Sequence, residues 1–448
     1  MKAAIQYRLR ANVDVYETDP GCVLVSTVDG KALSLGMDAV TMVNRLKSDW
    51  MTEDGAAEEA DDLSKVYFAF ILMRKTGMLD ARLVRNGTTL LSLSPSPEDS
   101  AFKGDMEAGK TYRLNRYAFM RREEDHLLLE SPLTPCRIAV YNGKLAEMLH
   151  QLCSGLSFDI AGEDVQFFLA VLLALGMAEP EVKQNKVDPM DFWQFHDLLF
   201  YSRTLNGRHV YPLGGTYRFQ GKRSSLSPIR DSVSDDIIEL PEPSGTLAER
   251  LRLPLSDALG SRTSKREFSD GPLTLEEIGA FLHTAARVKE IMVDPKHDDK
   301  ITMRPSPGGG ARHALEIYPL IRRCTGIDPG AYRYDSLNHR LEKVAANQTG
   351  LEEMLEENPH EFIGRETPQV TLNISARIGR TAWKYASIAY KIVNQDMGCL
   401  YQTFYLVATA LGLSPCALGS VDTEQLGKVL GINWREEPFI GAFTLGKK

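Results

Sequence analysis

Residues 383–412 read WKYASIAYKIVNQDMGCLYQTFYLVATALG. The run has no proline and is apolar nearly all round. A helix without a polar face must be covered on every side. The chain is therefore expected to fold around a central buried helix, or to bury this helix in a dimer interface. ALEIYPLIRR, QVTLNISARI and the closing PFIGAFTLG read as strands, and AYRYDSLNHRLEKV as a hairpin around Asp335 and Ser336. LTLEEIGAFLHTAARV carries Thr274 and Glu277 at capping-box spacing before an apolar helix. The irregular alternation of helices and strands indicates an α+β fold.

The N-terminal part contains an internal repeat of about a hundred residues, too long for a solenoid and suited to duplication of a small domain. Tyr7-Arg8-Leu9-Arg10 opens one copy and Tyr112-Arg113-Leu114-Asn115 the other. In each, a strand-like run follows (CVLVST, HLLLES), then a helix-like run (MDAVTMVNRLKSDW, GKLAEMLHQLCSG). A second helix with an acidic start comes next (DDLSKVYFAFILMRKTGM, GEDVQFFLAVLLALGM). This order, with trailing strands ARLVRN and TTLLSLS, is winged-helix-like. At 448 residues the chain suits two or three domains. The expected division is 1–105 and 106–188 for the two winged-helix-like units, 189–245 for a connecting arm and 246–448 for the α+β domain. LPEPSG reads as the linker that ends the arm. His196, Asp197, Arg203 and His209 in the arm are expected to be satisfied polar groups.

A net charge of −8 argues against general nucleic-acid binding, and the apolar second helices favour a peptide or protein ligand. No apolar run is long enough to cross a membrane, and MKAAIQYRLRANVD lacks the apolar core of a signal peptide. A cytoplasmic location is expected. The six cysteines form no CxxC pair, so reduced, mostly buried thiols and no metal are expected.

Four segments carry chemistry. Ser261-Arg262-Thr263-Ser264-Lys265-Arg266 packs cations and hydroxyls that suit a phosphate. In Arg304-Pro305-Ser306-Pro307-Gly308-Gly309-Gly310, glycines let backbone approach a planar ligand. Gly412-Leu413-Ser414-Pro415-Cys416-Ala417-Leu418-Gly419-Ser420 offers backbone N–H groups after the long run. Lys384 beside Tyr385, in an otherwise apolar segment, is a candidate acid/base pair, since burial lowers a Lys pKa and a nearby cation that of a Tyr.

In this order, SRTSKREF, RPSPGGGARHALEIY, WKYASIAYK and LGLSPCALGS resemble the FMN-binding nitroreductase superfamily. More narrowly they resemble its SagB-type (ThcOx-like) dehydrogenases, the azoline oxidases of ribosomal-peptide pathways. FWQFHDLLFYSRT and GGTYRF extend the resemblance into the middle segment. It implies a dimeric nitroreductase-like fold with a mixed sheet. It implies that Arg262, Thr263 and Ser264 meet the FMN phosphate and ribityl chain, with Arg266 at the pyrimidine edge. Pro305, Ser306 and Gly308 would lie near the isoalloxazine, reaching across a homodimer interface. Gly419 and Ser420 would offer N–H groups to flavin N5 and O4, and Lys447 would stand for a basic tail at the phosphate. Lys384 and Tyr385 match the catalytic Lys-Tyr pair. Where similar enzymes read DAGHLxQN, this chain has Asp396-Met397-Gly398-Cys399-Leu400-Tyr401-Gln402-Thr403, so no His or Asn role carries over.

The activity this implies is oxidation of peptide thiazolines or oxazolines to azoles, on a precursor peptide supplied by a cyclodehydratase partner, with the N-terminal units holding leader or partner. The alternatives are an NAD(P)H-dependent nitro- or quinone-reductase and a non-catalytic scaffold with a vestigial flavin fold.

Overall fold

The long apolar run is two helices, not one. Ile378–Lys384 ends at the lysine, Tyr385–Ala386 becomes a short strand, and Ala389–Leu411 resumes as a helix. Pairing of Tyr385–Ala386 with Gly214–Gly215 breaks the helix, and Ser387 takes φ 60° to turn the chain. No proline or glycine marks the spot, so helical periodicity runs across it unseen.

The computed structural model describes residues 3–58, 60–102, 106–107, 109–157, 162–181, 188–297, 299–357 and 367–448. The chain packs as two units, Met1–Leu213 and Gly214–Lys448. In the first, the repeat read from sequence appears as a repeated pairing pattern. Ala4–Leu9 pairs with Leu79–Arg85 and, through Tyr7, with Met51. Thr111–Leu114 likewise pairs with Ala178–Pro180 and Leu156–Ser157. Each opening strand thus lies between the segment after its first helix and the strand after its last. Each copy also has a hairpin with a third strand: Val13–Thr18, Gly21–Ser26 and Ala32–Leu35, then Phe119–Glu123, His126–Glu130 and Arg137–Val140. Caps set the helix starts. The Asp62 side chain accepts from Lys65 N–H before Leu63–Lys75, and that of Asn142 from Lys144 and Leu145 N–H before Gly143–Ser154. Pairing of Arg137–Val140 with Thr88–Ser94 joins the copies in one six-stranded sheet. The middle segment up to Leu213 packs here: Arg203 and Tyr211 both bond buried Glu130.

The second unit is built on a seven-stranded sheet. Its order is Ile237–Glu239, Arg340–Lys343, Gly330–Asp335, Leu315–Ile321, Val370–Ala376, Phe439–Gly446, Ser414–Leu418. Its pairings are antiparallel, and the parallel pairing expected of a mixed sheet is confined to Leu273–Thr274 with Cys324–Thr325. The expected linker has no regular structure over 241–244 but packs on this unit. Ile237–Glu239 is an edge strand, buried Leu240 follows it, and a Cβ on Gly279 would press on the Pro241 carbonyl. The proline-rich stretch is therefore wedged against Leu275–Ala286, and this unit begins at Gly214, ahead of the expected boundary. Thr274 and Glu277 form the expected capping box. Phe404 of the long helix is fully buried between Phe281 and Phe443, at 5.1 and 5.3 Å between ring centres. Truncating it to Ala would cost about 3–5 kcal/mol.

Among the described residues, no helix is long and apolar enough to cross a membrane, and no His, Cys, Asp and Glu group is arranged to hold a metal. All six cysteines are free. Only Cys22, Cys136 and Cys416 are buried, against the expectation of mostly buried thiols.

Candidate functional site

The break between the two helices places the Lys384–Tyr385 pair. Both side chains are half-buried. Lys384 Nζ lies 5.4 Å from the centre of the Tyr385 ring. Among the described residues it makes no ion pair, so ring faces hold it. The glycine-rich loop lies directly against the pair. Gly310 has φ 62°, and a Cβ there would meet the Tyr385 hydroxyl and stand 2.9 Å from Lys384 Nζ. A Cβ on Gly309 would collide with Ile392, and one on Gly308 would stand 2.7 Å from His313 Nδ1. Glycine at these positions thus permits a close backbone approach. Ser306 is buried and Pro305 half-buried in the same loop. Gly309 N–H donates to Asp396 Oδ1 at 2.9 Å, tying the loop to the long helix. Burial pushes the Asp396 carboxyl up to about 6.

The basic segment forms a second cluster. Lys265 N–H donates to the Pro415 carbonyl at 2.8 Å, which lays the segment along Ser414–Leu418. Tyr405 joins the two: Ala417 N–H donates to its hydroxyl oxygen at 2.8 Å, and Ser264 Oγ is 2.8 Å away. Either hydroxyl of the Ser264–Tyr405 pair can donate to the other. Arg262 stands over the Tyr405 ring at 5.2 Å. Thr263, Ser264 and Arg266 are exposed. Burial pushes the Cys416 thiol up, and nearby Arg266 opposes this. Arg266, Gly419 and Ser420 line a pocket of about 380 Å³ with Arg322 and Asn373. The Lys447 carbonyl accepts from Ser269 N–H at 3.1 Å, and its Nζ is 3.6 Å from Glu277 of the capping box.

Both clusters hang on the long helix. Asp396 meets the glycine loop, and Tyr405 meets the basic segment. Nine positions separate them, about 13 Å along the axis and half a turn in azimuth. They therefore face opposite sides of the helix. Asp396, Tyr405, the Tyr217 ring beside Lys384 and the His297 ring stacked on Tyr217 were not singled out from sequence. The first two hide inside an apolar run, where a polar atom in a buried helix was the available signal.

The donor set fits an anionic cofactor. Arg262, Lys265 and Arg266 have no carboxylate partner among the described residues, and Ser264 is exposed beside them. A Cβ on Gly419 would meet nothing within 4 Å, so its backbone is open to a ligand.

Residues 259–447 match the nitroreductase family, and residues 112–210 match the cyanobactin oxidase ThcOx family. A protein of Methanocaldococcus jannaschii named as a nitroreductase, MJ1384, is 29% identical over 194 residues, 43% of this chain and 91% of that protein. The trifolitoxin-processing protein TfxB of Rhizobium leguminosarum bv. trifolii is 28% identical over 142 residues, 31% of this chain and 38% of that protein. A chain of the Escherichia coli microcin synthetase McbBCD complex, solved with truncated pro-MccB17, is 20% identical. It covers 56% of this chain and 86% of its own length with a TM-score of 0.35, a likeness too distant to carry weight. The unit that holds the Lys-Tyr pair thus matches the nitroreductase family over residues 259–447, and the unit before it matches the cyanobactin oxidase ThcOx family over residues 112–210.

Proposed function

We propose that this chain is an FMN-dependent dehydrogenase that oxidises thiazolines or oxazolines of a ribosomally made peptide to azoles. The observation that carries the reading is the contact of the Gly310 backbone with the Lys384–Tyr385 pair. It puts an acid/base pair beside a loop that a flat ring can approach closely. The ThcOx match and the trifolitoxin-processing relative favour a peptide substrate.

Arg262, Thr263 and Ser264 would hold the FMN phosphate and ribityl chain, and Arg266, Gly419 and Ser420 the ring edge. FMN bound there would supply the acceptor for a hydride, with oxygen as the final oxidant. The azoline ring loses one proton and one hydride as it becomes aromatic. Tyr385 would take the proton as a phenolate, whose charge the Lys384 ammonium beside it stabilises, and be left as the neutral phenol. Pro305, Ser306 and Gly308 would close over the flavin of a second copy. The opposite-facing clusters on the long helix support such a homodimer, because one chain presents them to different sides. Leu255 and Leu259 next to the basic segment, and Cys399 and Tyr390 on the helix, are exposed as an interface requires. The repeated N-terminal units, of winged-helix-like order, would hold the leader segment or the cyclodehydratase that makes the azoline.

Incubating the FMN-loaded protein with an azoline-bearing peptide tests the reading. A loss of two hydrogens per ring by mass spectrometry is expected from the native chain. Neither Lys384→Ala nor Tyr385→Phe should produce it, while both keep the yellow flavin. Full turnover by both variants would remove the role given to the pair. Reduction of nitroarenes by NAD(P)H with no azole formed would replace the reading with that of a small-molecule reductase.

A further inference from the structure

Lys384 is a flexible point charge on a four-carbon stem, and a lysine acting on one tyrosine must be held still. The pair itself does not do this. Lys384 Nζ also lies 5.3 Å from the centre of the Tyr217 ring, and the Tyr217 N–H donates to the Lys384 carbonyl at 2.9 Å. The Tyr217 ring is fixed by two others. His297 stacks on it with ring centres 3.6 Å apart and planes 9° off parallel. His297 Nδ1 is in turn 2.8 Å from Asp294 Oδ2. The Trp383 ring meets Tyr217 edge to face at 5.8 Å, and Trp383 is itself anchored by its indole N–H on the Arg223 carbonyl at 2.7 Å. With His297 pressed on one face, the face left for the ammonium is the other.

The backbone adds a second, independent sign. Tyr217 has φ 50°, in the left-handed region that a bulky side chain rarely enters. Such a conformation persists where the surroundings over-determine it, and it gathers at functional sites. His297 and Asp294 come from the hairpin of Glu290–Asp294 and Asp299–Met303, which otherwise has no part in the site.

We propose that Tyr217, backed by His297 and Asp294, is a positioning residue that holds the Lys384 ammonium on its ring face, beside Tyr385 and the glycine loop. Its consequence for turnover rests on the dehydrogenase reading above; its consequence for Lys384 itself does not.

The test uses the full FMN-loaded chain and the variants Tyr217→Leu, Tyr217→Phe and His297→Ala. Two quantities are read: kcat and KM on an azoline peptide, and the rate at which acetic anhydride labels Lys384, by mass spectrometry. Removing the ring face in Tyr217→Leu should lower kcat about tenfold or more while KM and flavin content hold, and speed Lys384 labelling severalfold. Tyr217→Phe, which restores the face without the hydroxyl, should recover both quantities. His297→Ala should move both in the same direction by less. Native kcat and labelling in Tyr217→Leu overturn the proposal, and so does a Tyr217→Phe variant as impaired as Tyr217→Leu. Should Tyr217→Leu fail to fold, His297→Ala decides, and unchanged labelling there overturns it. A native protein that makes no azole refutes the dehydrogenase reading, and labelling then decides the positioning role alone.

Discussion

Gly309 N–H donates to one carboxylate oxygen of Asp396 at 2.9 Å, and the other oxygen, buried, has no partner among the described residues. Half of this carboxyl is satisfied and half is desolvated. Burial therefore pushes its pKa up to about 6, above the ordinary carboxylate range. The sign follows. The folded chain binds more protons than the unfolded one between the two values, so stability falls as pH rises from about 4 to about 6. Above that range the cost stays, at about 3 kcal/mol. Asp396→Asn keeps a carbonyl for Gly309 and removes the charge. Thermal unfolding should show the variant more stable than the parent at pH 8 and no more stable at pH 4. An equal difference at both pH values would mean that the buried carboxyl does not titrate as described.

Gly310→Ala should separate folding from turnover. The left-handed backbone at φ 62° costs an alanine about 1–2 kcal/mol. The new methyl would meet the ends of two flexible side chains, Tyr385 and Lys384, which can swing away while the fold stays. Flavin absorbance and the unfolding temperature should change little, and azole formation should slow about a hundredfold. An unchanged rate would show that the pair need not stand where the glycine loop holds it.

The Tyr405 hydroxyl joins Ala417 N–H to Ser264 Oγ, at 2.8 Å each. Tyr405→Phe strands the Ala417 N–H and releases Ser264, with the ring under Arg262 left in place. Losing an organised hydrogen bond costs about 1–1.5 kcal/mol, so FMN should bind about tenfold more weakly. A flavin-fluorescence titration reads this directly. Equal affinity in both proteins would remove Ser264 from the phosphate site.

What was legible in the sequence is what local chemistry encodes. The Thr274–Glu277 box, the strands around Leu315–Ile321 and Val370–Ala376, and the Tyr7 and Tyr112 repeat each follow from patterning within a few turns or strands. The break at Tyr385 was hidden because its cause lies at Gly214–Gly215, far away in the chain. Pro241 misled for a related reason. A proline reads as a break, and regular structure does stop there, just past the edge strand Ile237–Glu239, yet the stretch still packs against Leu275–Ala286. The stack of Tyr217 on His297 joins segments eighty residues apart, and no single-sequence pattern predicts that two rings will meet. Of the site, the ligand-facing polar and glycine residues were visible, and the residues that hold them were not.

Glu130 gives the last prediction, in the N-terminal unit. It is 3% exposed and accepts from Arg121 at 2.8 Å, from Arg203 at 2.6 Å and from the Tyr211 hydroxyl. Burial alone would raise its carboxyl pKa. The bonds from Tyr211 and Arg203, then Arg121, outweigh burial and hold it below the usual value. The carboxylate thus clamps Arg203 and Tyr211, 73 and 81 positions further along, to the strand His126–Glu130. Because the folded value is depressed, this stabilisation is fully present above about pH 4.3 and is lost as pH falls through the folded value. Glu130→Gln leaves two guanidiniums facing a neutral group and should cost about 3–5 kcal/mol at pH 7, with the difference shrinking below pH 4. The loss should appear first as faster proteolysis near the helix Phe195–Arg203, since Arg203 is one of the groups released. Native protease resistance at that helix would mean that its hold on the sheet comes from apolar contacts such as buried Leu198, with the carboxylate a passenger.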